Sequence, residues 1–334
     1  MQLHGLHHVT AVTGQAAKNV TFYTEVLGLR LVKKTVNQDD LSAYHLFYGD
    51  AVGNPGTELT FFDWPQAIGN RPGIGTVTAT GLRVPGSSLN WWLERFKLAG
   101  VAHDMIADRA GRLTLPFTDP EGQRFQLVDD GNGTGGTPWP DGPVPPEVAI
   151  RGLGPATLTL ADAEPTVSVL TRVLGFRAAG EYMAPDDGRP VLVYSVGPGG
   201  PGAELHLAVR PQSGWGAVGI GGVHHIAFRT PDEAEHRAWQ QRIAAAGLGV
   251  TPVIDRYYFR SIYFREPGGV LFEIATDGPG FTSDEDVEHL GERLSLPPFL
   301  EPRRAAIEAG LRPLPMPART AAAVDVLTQE RVAE

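Results

Sequence analysis

The spacing of apolar and polar positions divides most of this chain into four versions of one unit: a strand, a helix, then a run of strands. In module 1, residues 5–63, His8-Val9-Thr10-Ala11-Val12 reads as the first strand. A helix carries Val20, Phe22, Tyr23, Val26 and Leu27. It stops at Gly28, because glycine takes the left-handed conformation at low cost. Strands follow at 29–33, 43–48 and 58–62. Module 3 repeats this from Gly154, with Thr157-Leu158-Thr159-Leu160 as the strand and a helix over 167–174 that stops at Gly175. The phrases "EVLGLRLV" and "RVLGFRAA" are the clearest mark of the repeat. Modules 2 (residues 75–129) and 4 (residues 222–277) resemble each other through "PFTDPEGQRFQLV" and "YFREPGGVLFEIA". Their helices, near 91–98 and 234–246, run out at Gly100 and Gly247.

Residues 1–130 therefore form an N-terminal half of two modules, and residues 151–280 a C-terminal half. Between them, residues 131–150 are dense in Gly and Pro and read as a linker. Residues 281–334 form a tail outside the repeat. Residues 301–311 suit a helix with Pro302 in its first turn, and the last dozen residues suit a frayed end. One such module cannot bury its sheet face alone. The expected fold is α+β: four βαβββ modules paired into two bent half-barrel cups, with a pocket inside each.

Two near-copies of one phrase point to chemistry. Gly5-Leu6-His7-His8-Val9-Thr10 opens module 1, and Gly222-Val223-His224-His225-Ile226-Ala227 opens module 4. A third phrase, Pro267-Gly268-Gly269-Val270-Leu271-Phe272-Glu273-Ile274-Ala275, closes module 4. Aligning first strands places His8, Thr78, Thr157 and His225 together, and aligning last strands places Thr60, Gln126, His206 and Glu273 together. Ligand-type residues thus gather in modules 1 and 4. His8, His225 and Glu273 form a two-histidine, one-carboxylate metal set with open positions, and they meet only if module 1 pairs with module 4. Glu273 lies among Leu271, Phe272, Ile274 and Ala275, where an unpaired charge is costly. Strict alternation sends His7 and His224 to the opposite sheet face; a bulge would bring them to the site instead. His206 reads as an ordinary histidine.

The totals narrow the classes. Lys plus Arg is 28 and Asp plus Glu 38, giving a net charge of 28 − 38 = −10, which disfavours nucleic acid and anionic membranes. With no cysteine there are no disulfides and no thiolate ligands, in keeping with a cytoplasmic protein. No apolar run approaches the ~18 residues of a membrane span. A homo-oligomer is compatible with the sequence.

The phrases "LHHVTAVTG", "YHLFYGDAVGNPGTELTFF", "GVHHIAFRTPD", "DRYYFRSIYFREPGGVLFEIATD" and "GFTSDED" resemble the vicinal oxygen chelate superfamily, over about residues 3–310. Within it the chain is similar to the four-module branch of hydroquinone and chlorohydroquinone ring-cleaving dioxygenases. The resemblance implies an Fe(II) site at His8, His225 and Glu273, with Mn(II) or another divalent metal as an alternative occupant. It implies that Tyr263, Arg256, His7 and His224 line the substrate side. It also implies a small dihydroxylated aromatic and O2 as substrates of an extradiol-type reaction. The sequence departs from that branch at Tyr257-Tyr258-Phe259-Arg260, which bears on the substrate. A glyoxalase-like isomerase or thiol transferase is the second reading, and Thr60 at the fourth ligand position counts against it. A third is a protein that binds a small aromatic or quinone without turnover.

Overall fold

A computed structural model describes residues 1–131 and 135–315. The expectation of a frayed last dozen residues lies outside the described residues, as do residues 132–134 of the linker.

Each module folds as the apolar spacing predicts. Module 1 comprises β1 (Leu6–Thr13), α1 (Ala16–Thr21), β2 (Arg30–Asn37), β3 (Asp40–Gly49) and β4 (Glu58–Asp63). Module 2 comprises β5 (Thr76–Val84), α2 (Leu89–Ala99), β6 (Ala107–Arg109), β7 (Arg112–Thr118) and β8 (Arg124–Asp129). Module 3 comprises β9 (Gly152–Leu160), α3 (Glu164–Ser168), β10 (Arg177–Met183), β11 (Pro190–Ser195) and β12 (Glu204–Val209). Module 4 comprises β13 (Gly222–Thr230), α4 (Glu233–Ala245), β14 (Ile254–Asp255), β15 (Arg260–Arg265) and β16 (Leu271–Thr276). The tail adds α5 (Arg304–Gly310), entered through a 3-10 turn at Glu301–Arg303.

In modules 1 and 3 the helix loosens into a π turn, Phe22–Val26 and Val169–Val173, and the chain then reverses at Gly28 (φ 70°) and Gly175 (φ 78°). A side chain at that φ would be strained, so glycine sets where β2 and β10 begin. The carbonyls freed at the two helix ends accept from arginines of the next module. Arg95 of α2 donates to Glu25 and Val26, and Arg242 of α4 donates to Arg172.

Within a module the first and last strands pair in parallel, which leaves the outer edge of the first strand open. An open edge is a template for another strand. β1 takes β13 and β5 takes β9, both antiparallel. The result is two curled eight-stranded sheets, in orders β14-β15-β16-β13-β1-β4-β3-β2 and β10-β11-β12-β9-β5-β8-β7-β6. Module 1 thus pairs with module 4 and module 2 with module 3, the pairing that the expected ligand positions required. One hydrophobic core joins both sheets and takes in Trp92 of α2 and Trp239 of α4.

The parallel registers correct one detail. Thr60, Gln126, His206 and Glu273 lie opposite Thr10, Gly81, Thr157 and Ala227. Two residues earlier on each first strand stand His8, Ala79, Pro155 and His225. The counterparts of the histidines in the second sheet are therefore Ala79 and Pro155, not Thr78 and Thr157. Irregular pairing near these positions, which aligned phrases cannot register, is the reason. His206 is buried in the second sheet. The Tyr182 hydroxyl lies 3.2 Å from its Nδ1, and Glu204 lies 3.6 Å from its Nε2.

The tail runs back over module 1. Ser295 donates to the Lys34 carbonyl, Arg30 donates to the Glu288 carbonyl, and Arg312 pairs with Asp63 at 3.0 Å. Edge strand β2 is thereby covered. Phe281 and Leu290 of the tail join Val32, Phe47, Tyr258 and Phe259 in a small cluster beside the first cup.

Candidate metal centre

Backbone irregularity places the histidines. In the β1–β13 ladder Leu6 pairs with Phe228 and His8 with Ala227, so His7 is passed over. Thr10 pairs with His225 and Ala11 with Val223, so His224 is passed over on the other strand. An unpaired residue in a bulge breaks the alternation of faces. Both members of each His-His pair consequently turn to the same side, resolving the alternative left open by strict alternation.

His8 Nε2 lies 3.3 Å from Glu273 Oε2, His225 Nε2 lies 2.9 Å from the same oxygen, and the two Nε2 atoms are 3.4 Å apart. All three residues are buried, Glu273 at 0% exposure. The other carboxylate oxygen of Glu273 accepts from the Ser261 hydroxyl at 2.5 Å, while Oε2 has no hydrogen-bond partner.

The neighbouring histidines determine which nitrogen faces inward. His7 Nε2 is 3.1 Å from the carbonyl of Thr276, which can only accept, so this nitrogen carries the proton. Burial, and then His8, lower the His7 pKa to about 3, so the ring is neutral and its Nδ1 is an acceptor. His8 Nδ1, 3.0 Å away, must then donate to it. In a neutral His8 this leaves Nε2 with a bare electron pair aimed at Glu273 Oε2. His224 Nδ1 stands 2.7 Å from His225 Nδ1, and burial followed by His225 lowers its pKa to about 3 as well. A neutral His224 can accept there from His225 Nδ1, the arrangement that frees His225 Nε2 for a metal.

Three electron pairs facing one another in a dry site repel unless a cation sits between them. A metal ~2.1 Å from each of three ligands at right angles sets them about 3.0 Å apart. The observed separations of 2.9, 3.3 and 3.4 Å fit such a set. His7, His8 and Glu58 form a second close trio. It fits a metal poorly, because His7 Nδ1 is committed to His8 and burial pushes the Glu58 carboxyl well up, toward its neutral form. Thr60, at the fourth position, bonds to Thr10 at 2.7 Å and His45 at 3.0 Å and offers no ligand.

A cavity of about 40 Å³ lies over the trio, lined by His8, His225, Arg256 and Tyr263 among others. Arg256 pairs with Asp39 at 2.8 Å and lies 5.5 Å from the Tyr263 ring centroid. Burial, and then Glu273, raise the Tyr263 hydroxyl, so it stays protonated. Of the aromatic stretch, Tyr258 and Phe259 reach the cavity, whereas Arg260 pairs away from it with Glu233 and Asp255. Tyr257 takes φ 74°, a strained value for a bulky residue that turns its two successors inward.

Sequence reasoning missed His45, Phe47, Phe62 and Ser261 as parts of the site. His45 sits between Phe47 and Phe62, with ring centroids 3.9 and 4.5 Å away. It lay inside the quoted phrase "YHLFYGD", whose alternation put His45 and Phe47 on one face. Nothing in the phrase said that this face was the pocket.

The pattern of the Glyoxalase/Bleomycin resistance protein/Dioxygenase superfamily matches residues 5–127 and 152–274. The chain belongs to this superfamily. A Bacillus subtilis (strain 168) protein named "Putative ring-cleaving dioxygenase MhqA" is 48% identical over 316 residues, covering 94% of this chain and 100% of that protein. The chlorohydroquinone/hydroquinone 1,2-dioxygenase of Sphingobium indicum is 37% identical over 309 residues, covering 90% of this chain and 93% of its own. A crystal structure of a Bacillus subtilis protein, 41% identical, superposes with a TM-score of 0.86 and covers 94% of this chain and 98% of that one. No helix of the described residues is long and apolar enough to cross a membrane.

Proposed function

We propose that this chain is an Fe(II)-dependent, extradiol-type ring-cleaving dioxygenase acting on a hydroquinone-type dihydroxylated aromatic. The observation that carries the reading is the convergence of His8 Nε2, His225 Nε2 and Glu273 Oε2 on one buried point, with no fourth protein ligand among the described residues. The naming of the relatives as ring-cleaving and hydroquinone dioxygenases supports it. Mn(II) meets the same donor set, and availability decides between the two. When bound, the metal would supply Lewis acidity and open positions for both reactants.

The protein's own groups do the rest. His7 and His224 accept from the Nδ1 atoms of His8 and His225 and so fix both the tautomer and the ring plane of each ligand. Ser261 holds the outer oxygen of Glu273. Tyr263 keeps its proton and serves as a hydrogen-bond donor to a substrate oxygen. Arg256, anchored by Asp39, presents positive charge where negative charge develops during cleavage. Phe47, Phe62 and Phe259 keep water away. A cavity of about 40 Å³ is small beside the ~150 Å³ of a cavity that takes benzene. A single ring with small substituents is the largest substrate consistent with modest shifts of these walls. A glyoxalase-like chemistry lacks the protein base it would need at Thr60.

Oxygen uptake by anaerobically Fe(II)-loaded protein tests the reading. Hydroquinone, methylhydroquinone and chlorohydroquinone are expected to consume one O2 per ring. Tight metal binding with no uptake on any diol sinks it. A second test addresses the paired histidines. His224→Ala is expected to weaken metal binding by roughly 10–100-fold, as loss of a partner that orients a ligand does. Metal titration in His224→Ala checks this, and unchanged affinity would mean that His224 does not orient His225.

A further inference from the structure

The second sheet closes around a cup that ring cleavage does not use. Its cavity, of about 670 Å³, falls within the roughly 300–1,000 Å³ of small-molecule sites. Ala79 and Pro155 stand where the first cup has histidines, and among the described residues each group able to hold a metal lies in the first cup. The second cup has different equipment. Thr78, Thr157, Thr159 and Gln126 supply neutral hydrogen-bonding groups on strands β5, β8 and β9, and Phe117 and Phe125 supply apolar rings.

Two buried guanidiniums, Arg109 and Arg210, complete the wall, each only 7% exposed. Arg210 is held by both oxygens of Asp187, at 2.7 and 3.1 Å. Arg109 differs. Its Nη2 donates to Asp186 at 2.6 Å and the guanidinium also meets the Tyr182 hydroxyl, but the Asp186 side chain is 71% exposed, and the buried Nε of Arg109 has no partner. A buried donor without an acceptor awaits one. A planar guanidinium whose Nε–Nη2 edge is half filled by an exposed side chain matches a ligand carboxylate, which can take both positions through two parallel bonds.

We propose that the second cup binds a small hydroxylated aromatic carboxylate. Its carboxylate pairs with Arg109 and displaces the exposed Asp186. Its ring lies against Phe117 and Phe125, and its hydroxyl meets the threonines and Gln126. Binding alone is proposed, with no reaction, and it is independent of the metal centre.

Calorimetric titration of the full chain with 4-hydroxybenzoate, and with the neutral 4-hydroxybenzamide, tests this. The carboxylate is expected to bind at least tenfold more tightly than the amide, a difference of about 1.4 kcal/mol. Binding should persist in His225→Ala, which dismantles the first cup, and fall at least tenfold in Arg109→Met. Thr78→Phe leaves Arg109 intact and fills the floor, so it decides the matter should Arg109→Met fail to fold; it too should abolish binding. Three results would overturn the proposal: no heat at millimolar carboxylate, equal binding of the amide, or binding lost in His225→Ala yet retained in Thr78→Phe.

Discussion

Glu273→Gln is expected to abolish metal binding and oxygen uptake together while leaving the metal-free protein at least as stable as before. The two halves of this result have separate causes. The substitution keeps the shape of the side chain but removes the charge that a divalent cation needs, so uptake falls to background. Without metal, the wild-type carboxylate is a buried charge whose Oε2 lacks a hydrogen-bond partner. Burying such a charge costs several kcal/mol that neighbouring dipoles only partly return. An amide carries no such cost and can donate to His8 or His225. Thermal denaturation with and without metal reads both halves. At a hundredfold excess over Kd, metal should stabilise the wild type by about 2.7 kcal/mol, and Glu273→Gln should show no shift. Should Glu273→Gln instead lose several kcal/mol without metal and still bind it, the three residues are a structural cluster and the proposed centre is wrong. His225→Ala should match it in lost uptake, and serves as the second control.

Lys33→Met should give the largest loss of stability. Lys33 is wholly buried and carries two carboxylates of the tail: Asp284 at 2.7 Å and, closer still, Glu285. It also donates to the Phe281 carbonyl at 3.1 Å and lies 4.8 Å from the Tyr258 ring centroid. Methionine fills the space but leaves Glu285 buried, with the exposed Arg293 at 3.6 Å a weaker partner. Breaking a buried pair from one side costs about 3–5 kcal/mol, which for a chain of this length is a fall in Tm of about 4–7 °C. Lys33→Met/Glu285→Met should recover much of the loss, because the stranded charge is gone. The effect reaches the site through Tyr258, whose hydroxyl donates to Asp284 at 2.9 Å and whose ring lines the cavity. KM should therefore rise in Lys33→Met. Calorimetry showing a Tm change under about 1 °C would mean that the tail is not held by this lysine.

The proposed metal ligands were legible for a reason that does not extend to their surroundings. His8, His225 and Glu273 stand in repeated phrases at fixed distances from glycines, and a repeat reports equivalent positions without any knowledge of contacts. The pairing of module 1 with module 4 followed, since no other pairing brings the three together. Arg256 and Tyr263 came from resemblance, and they do line the cavity. His45 and Ser261 carried no such mark. Each belongs to an ordinary strand pattern, and which face of β3 or β15 looks into the cup depends on how the sheet curls.

What the sequence by itself determined is the local period: four modules, their glycine stops, and one face of each strand relative to the next residue. Those follow from side-chain alternation and backbone preference, which neighbouring residues settle among themselves. Only the tertiary structure decided the rest. The ladder between β1 and β13 passes over His7 and His224, turning them beside His8 and His225, and a bulge is a property of two paired strands. The grip of Lys33 on Asp284 and Glu285 joins residues about 250 positions apart. No periodicity spans such a distance, because the energy that selects it exists only once the sheet has closed and excluded water.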